Sequence, residues 1–222
     1  MAYLLRLNDL GFRKGVVAET VVSTYNPDGS SNAAPMGVFM VDDEHVSVNF
    51  YNSSQTLANV KANKAAVLNL TRDIAVYYRS AFKDANPASK LPEDWFTVGD
   101  VVKAPILWSA EATVAVTLEG LSTVDFDRTT AMFKVHRVGI DTNQRYYPKI
   151  YCRAFGATIE AIIHATRVEA LAGVKAEQKR VDESLRQIDV CNDVVRRVAP
   201  DSEYSVIMAD LMKRISGVRD KR

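Results

Sequence analysis

Cysteine is nearly missing from this chain. Cys152 and Cys191 are the only two in 222 residues, and neither belongs to a CxxC pair. That excludes a disulfide framework and a cysteine-built zinc site, so no metal is expected and a reducing, cytoplasmic setting is the default. Charge of one sign is missing too: 28 Lys+Arg stand against 27 Asp+Glu, for a formal net charge of +1. A protein that coats nucleic acid needs a basic footprint, so no nucleic-acid partner is expected. No stretch approaches the roughly 20 apolar residues of a membrane-spanning helix, and no membrane partner is expected. The opening MAYLLRLNDLGF has neither a charged n-region nor a small-residue cleavage site, so it does not read as a signal peptide. The GxxxxGK(S/T), HExxH and GxSxG patterns are absent, as is the GxGxxG of a dinucleotide-binding fold.

What is present is ordinary globular composition, 47% hydrophobic and 25% charged. The length suits one domain, or one domain with an appendage, and a chain of this size buries roughly 70% of its unfolded surface. Two halves differ in period. From Val16 to about Ile140 it is mostly two. Val16 to Tyr25 reads as a strand rich in Val and Thr, Asn26-Pro27-Asp28-Gly29 as a turn, and Asn32 to Val41 as the returning strand. His45 to Tyr51 alternates, with Val46, Val48 and Phe50 on one face. Ala65 to Thr71, Glu111 to Val124 and Thr130 to Ile140 complete six strands, which points to an antiparallel barrel or sandwich.

Two helices interrupt this half. One runs from Ser54 to about Asn63, and one starts after Asp73 with Ile74, Tyr77, Tyr78, Ala81 and Phe82 at helical spacing. Lys83 to Pro105 holds three of the seven prolines and reads as a long loop, of the kind that is usually functional or mobile. From Arg153 the period becomes 3.6, and three amphipathic helices follow. Their expected packing stripes are Phe155, Ile159, Ile162, Ile163, Thr166 and Ala170; then Val181, Leu185, Ile188, Val195 and Val198; then Tyr204, Ile207, Met208, Leu211, Met212 and Ile215. Three such helices must pack on the barrel or on another subunit. The expected domains are therefore 1–152, the barrel, and 153–222, a helical extension.

Three stretches carry chemistry. In Asn32-Ala33-Ala34-Pro35-Met36-Gly37, a proline that cannot donate to a ladder sits among small side chains. Either a flat heterocycle lies there on open main-chain groups, or the strand turns a barrel corner that needs small residues. In Tyr51-Asn52-Ser53-Ser54-Gln55-Thr56, three hydroxyls crowd the first turn of a helix. That end favours an anion such as a phosphate monoester, while simple N-capping needs one hydroxyl only. Asn69 is a polar residue inside the apolar run Val67–Thr71; it either faces a ligand or pairs with Asn49 or backbone.

Taken in order, NAAPMG, VNFYNSSQTLANV and AAVLNLT resemble the FMN-binding split-barrel superfamily, whose distant members include flavin reductases and pyridoxamine-phosphate oxidases. The likeness is nearest to an archaeal-type FMN-binding family, domain of unknown function 447. It extends from VVAETVVSTYNPDGSSNAAPMGV to CRAFGATIEAIIHATRVEA and so covers nearly the whole chain. The resemblance implies a six-stranded antiparallel split β-barrel with a C-terminal three-helix extension, a homodimer, and FMN near the subunit interface. It implies Asn32, Ala33, Ala34, Pro35 and Met36 along the isoalloxazine, and Ser53, Ser54, Thr56 and Asn59 around the phosphate. Asn69, Leu70 and Thr71 would complete the cleft. The family pattern has Asn before the Arg-Ala pair at the barrel–tail junction, where this chain has Cys152.

The resemblance names no reaction. A flavin carries the hydride or electron chemistry itself, so the implied function is an FMN-dependent oxidoreductase on a small organic substrate, or a non-catalytic FMN carrier or sensor. No catalytic residue stands out. His45 and His136 fall on strands, where a structural or exposed role is expected. Glu160, His164 and Arg167 form a polar stripe suited to a subunit or interdomain contact. Tyr146, Tyr147 and Tyr151, with Lys149 and Arg153, suit aromatic packing between barrel and tail.

Overall fold

The computed structural model describes residues 5–141 and 148–219. Tyr146 and Tyr147, part of the expected aromatic–basic cluster, lie outside the described residues. Eight strands and five α-helices follow in order: β1 (Val17–Tyr25), β2 (Ser31–Met40), β3 (His45–Tyr51), α1 (Gln55–Asn63), β4 (Ala65–Leu70), α2 (Ile74–Ala81), β5 (Phe96–Val98), β6 (Pro105–Leu107), β7 (Ala112–Thr123), β8 (Arg128–Ile140), α3 (Arg153–Leu171), α4 (Gln178–Val198) and α5 (Glu203–Arg219). Six strands close an antiparallel barrel in the order β1-β2-β3-β8-β7-β4, and β5 and β6 form a separate two-stranded sheet. Through Tyr151 the chain builds one compact unit; Cys152 onward, with Gly15–Val17, builds another. Among the described residues no helix is long and apolar enough to cross a membrane.

Alternation decides what fills the barrel. On β3, Val46, Val48 and Phe50 are buried while Asn49 and Tyr51 face solvent. Phe50 meets Phe133 of β8 edge-on, with ring centroids 6.5 Å apart. Ala18 and Val22 of β1, and Ala66, Leu68 and Leu70 of β4, point into the same core. Leu57 and Val60 of α1 join them. Gly29 in the β1–β2 turn takes φ +83, the left-handed region that favours glycine.

β4 differs from a half-exposed strand, since all six of its residues are buried. Its second face is covered as well: Ala65 and Val67 pack with Ala104, Val102 and Ile106, and Val21 of β1 packs with Ala33, Val76, Leu91 and Leu107. The cover is the segment expected as a long loop. It folds instead into short 3-10 turns at Lys83–Ala85, Pro87–Ser89 and Glu93–Trp95, followed by the β5–β6 pair. Leu91, Ala104 and Leu107 bury apolar surface that a free loop would leave wet.

On two helices the largest apolar residues are not the ones buried within the chain. On α2 the buried residues are Val76 and Ser80, while Ile74, Tyr78 and Phe82 are exposed. On α3 the buried set is Ala154, Thr158, Ala161, Ala165 and Val168, whereas Phe155, Ile159, Ile162 and Ile163 are exposed. Small side chains let α3 approach a neighbouring helix closely, and His164 Nδ1 lies 3.3 Å from Ser184 Oγ of α4. On α4 the expected stripe from Val181 to Val198 is the buried one. On α5, Met208, Leu211 and Ile215 are buried.

Candidate functional site

The start of β2 and the start of α1 meet. Asn32 Nδ2 donates to Thr56 Oγ1 at 3.1 Å and to Thr24 Oγ1 at 3.2 Å. Asn59 Nδ2 donates to Thr24 Oγ1 at 3.0 Å and to Asn26 Oδ1 at 2.9 Å, and Gln55 Nε2 donates to Asn59 Oδ1 at 2.8 Å. Asn32, Thr56 and Asn59 are all buried. A buried amide must be hydrogen-bonded, and this network satisfies three elements at once. Ser54 caps α1, its Oγ accepting from Leu57 N–H at 3.2 Å, while Ser53 is exposed.

Beside this network opens a cavity of about 480 Å³. Asn32 and Gln55 line it with Ser30 of the β1–β2 connection and Ser31 at the start of β2, and Lys83, Lys90 and Glu93 line it from the covering segment. Asp28 lies at the rim; hydrogen bonds from Ser30, and then the nearby Lys90 charge, hold its carboxyl below the usual range. Lys83 Nζ donates to Ala33 O and, at 2.8 Å, to Ser80 O. Burial pulls its ammonium down to about 8.

The small-residue strand borders the same region. The β2–β3 ladder spans Val38–Met40, so Ala33–Gly37 runs on without β3 partners. Along it Ala34, Pro35, Met36 and Gly37 are half-buried, although β1 and β4 are covered almost throughout. Met36 O accepts from Thr20 Oγ1 at 3.2 Å.

Of the residues singled out in the sequence, the structure thus gathers Asn32, Ala33, Thr56 and Asn59 around one corner, with Ala34, Pro35 and Met36 continuing from it. The β4 residues are elsewhere. Asn69 Nδ2 donates to Val21 O at 2.8 Å, Ser23 Oγ at 2.9 Å and Val67 O at 3.2 Å, and its Oδ1 accepts from Leu107 N–H at 3.0 Å. Its partners are backbone and Ser23, not Asn49, which accepts from Thr130. Leu70 is in the barrel core, and Thr71 Oγ1 accepts from Asp73 N–H at 3.1 Å. Gln55 and Lys83 escaped the sequence reading. Gln55 stands between two hydroxyl residues already marked, and Lys83 opens the segment taken for loop.

His45, His136 and Tyr77 do not line the cavity. His45 Nδ1 is 2.8 Å from Asp42 and its Nε2 is 3.3 Å from Glu119; His136 Nε2 is 2.6 Å from Thr117 Oγ1. Tyr77 donates to Glu19 O at 3.0 Å, and burial, followed by the Glu19 and Tyr151 charges, pushes its hydroxyl up to about 12.

Residues 18–144 match the family described as "Protein of unknown function (DUF447) N-terminal domain", and the chain belongs to that family. An FMN-bound protein of the same family from Methanosarcina mazei is 26% identical, with 94% of this chain and 99% of that chain covered and a TM-score of 0.53. Nitrilotriacetate monooxygenase component B from Bacillus cereus is 16% identical over 64% of this chain and 77% of its own, with a TM-score of 0.47. The 2-nitrobenzoate 2-nitroreductase of Pseudomonas fluorescens is 15% identical over 61% and 70%, with a TM-score of 0.46.

Proposed function

We propose that this DUF447-family chain binds FMN along the open stretch of β2, with the phosphate end in the cavity beside α1, and that it serves as an FMN-dependent oxidoreductase on a small organic substrate. One observation carries the reading: a half-buried strand of small residues, unpaired to β3, leads into a cavity whose neutral polar side chains include Asn32, Gln55 and Ser31. A flat ring needs the first feature, and a phosphate monoester at a helix start needs the second. The FMN-bound Methanosarcina mazei protein, similar over nearly its whole length, supports the same ligand. Ala34, Pro35 and Met36 then border the ring, while Ala33 is buried beneath it. Asn32 and Gln55 face the ribityl-phosphate end, and Thr56 and Asn59 hold those two side chains in place. Bound FMN would supply hydride or electron transfer; the chain supplies orientation, a dry wall and donors.

A homodimer accompanies this reading. The exposed apolar residues of α2, and separately those of α3, are surfaces that a second copy would cover. Residues 1–152 carry the flavin in this scheme, and 153–222 serve assembly.

The protein purified without added cofactor is expected to show flavin absorbance, or to take up FMN in a titration followed by quenching of flavin fluorescence. A colourless protein with no uptake refutes the proposal. A carrier or sensor role is the second reading, favoured by the placement of His45, His136 and Tyr77 outside the cavity. Sustained oxidation of NADH or NADPH with a defined acceptor excludes it.

A second test addresses the hydroxyls. Ser53→Ala combined with Thr56→Val removes the hydroxyl that fixes Asn32 and is expected to weaken FMN more than riboflavin, by about 1–3 kcal/mol. Asn32 keeps Thr24 as acceptor in that variant, so the fold should persist. Equal losses for the two ligands would place the phosphate elsewhere.

A further inference from the structure

We propose that Lys83 is the specificity-determining cation of the cavity, the residue by which the protein separates a phosphorylated flavin from its unphosphorylated form. The inference rests on the FMN reading above and adds a residue to it.

The placement is unusual for a lysine. A lysine normally keeps its ammonium in water and lays only its stem on the protein. Here the ammonium is held between two main-chain carbonyls, Ala33 O on β2 and Ser80 O at the end of α2. An ammonium has three N–H donors, so this pair of acceptors leaves one for a ligand. Among the described residues no carboxylate forms an ion pair with Lys83. The other charged residues of the wall do not neutralise it by contact. Asp28 is engaged by Ser30 and lies near Lys90, and no salt bridge joins Glu93 to Lys83.

The charge is also costly to keep there. Desolvation alone lowers the affinity of Lys83 for its proton, with no neighbouring cation contributing. A methionine or leucine would fill the same space without that penalty. A charged group retained against its own solvation, with two main-chain carbonyls and no carboxylate as its partners, fits a ligand that brings the opposite charge. A phosphate monoester brings it; riboflavin does not.

The test uses the full chain with Lys83→Met and Lys83→Arg. Dissociation constants for FMN and for riboflavin are measured by quenching of flavin fluorescence. For Lys83→Met, FMN is expected to bind about 10- to 100-fold more weakly and riboflavin within about twofold of the parent, as for loss of one charge-assisted bond. Lys83→Arg is expected to recover most of the difference between the ligands. Ligand-free Lys83→Met is expected to melt within about 5 °C of the parent, the relieved desolvation offsetting the donor lost by Ala33 O and Ser80 O, which separates a lost ligand contact from a damaged fold. Equal weakening of both flavins, or none of FMN, overturns the inference while leaving FMN binding standing. A parent protein that binds neither flavin overturns the FMN reading and this inference together.

Discussion

Asn69→Leu is expected to lower the thermal midpoint by about 10–20 °C, as measured by circular dichroism or calorimetry, or to prevent folding. The side chain is fully buried and its amide engages Val21 O, Ser23 Oγ, Val67 O and Leu107 N–H. Leucine matches the volume and offers no hydrogen bond. The Leu107 amide and the Val21 carbonyl then lose a partner where water cannot replace it. Each orphaned buried group costs about 1–3 kcal/mol, so the total is on the order of 2–6 kcal/mol. A domain of ordinary stability, about 5–15 kcal/mol, loses a large share of its margin. Asn49→Ala is the matched control: Asn49 also lies on a strand, but it is exposed and accepts a single bond from Thr130. Its effect is expected to stay within about 0.5 kcal/mol. The folded fraction of Asn69→Leu is expected to bind FMN as the parent does. A selective loss of FMN affinity with the midpoint unchanged would return Asn69 to the ligand.

Asn69 also shows where sequence periodicity stops being informative. On a strand buried on one face, a polar residue at an outward position faces solvent or a ligand. β4 is buried on both faces, and its outward positions 65, 67 and 69 lie under β6 and the chain leading to it. Nothing within Val67-Leu68-Asn69-Leu70 announces that cover, because it comes from residues about 35 positions away along the chain. β3 was legible for the opposite reason. Its two faces meet different environments, so alternation appears directly in His45–Tyr51. α4 is legible likewise, with a strong contrast between a buried apolar stripe and charged flanks. On α2 and α3 the largest apolar side chains are not the ones buried within the chain, and hydrophobic weight alone does not find the face that packs there. Close helix packing selects Ala154, Ala161 and Ala165, which carry little hydrophobic weight. Asn32 and Thr56 lie in stretches marked by composition, and the fold joins them by a hydrogen bond. Lys83 carries no such mark; its interest comes from Ala33 O and Ser80 O, a strand and a helix end that only the fold brings together.

The exposed apolar face of α3 yields the other large expected effect. Ile159→Glu with Ile163→Glu is expected to convert the proposed dimer into monomers at micromolar concentration, read by sedimentation velocity or light scattering. Phe155, Ile159, Ile162 and Ile163 are 56%, 41%, 41% and 36% exposed in the single chain. Fully burying such a side chain stabilises by about 1.5–3 kcal/mol, and these are roughly half-buried already, so about 1 kcal/mol remains for each. In a two-fold interface every contact occurs twice, and the four residues together offer about 8 kcal/mol before the entropy of association is met. That cost is itself about 4–15 kcal/mol, so the face has no surplus to absorb a charge. Two glutamates per protomer place four carboxylates in it, each with a desolvation penalty of several kcal/mol when unpaired. Val190→Glu, at a 57% exposed position of α4, is the control expected to leave assembly unchanged. If FMN lies at the subunit interface, as the family resemblance implies, its affinity is expected to fall in parallel with the dimer fraction and to recover as protein concentration rises. A double variant that remains dimeric would exclude α3 from the interface; a parent chain that sediments as a monomer with FMN bound would remove the dimer from the proposed function altogether.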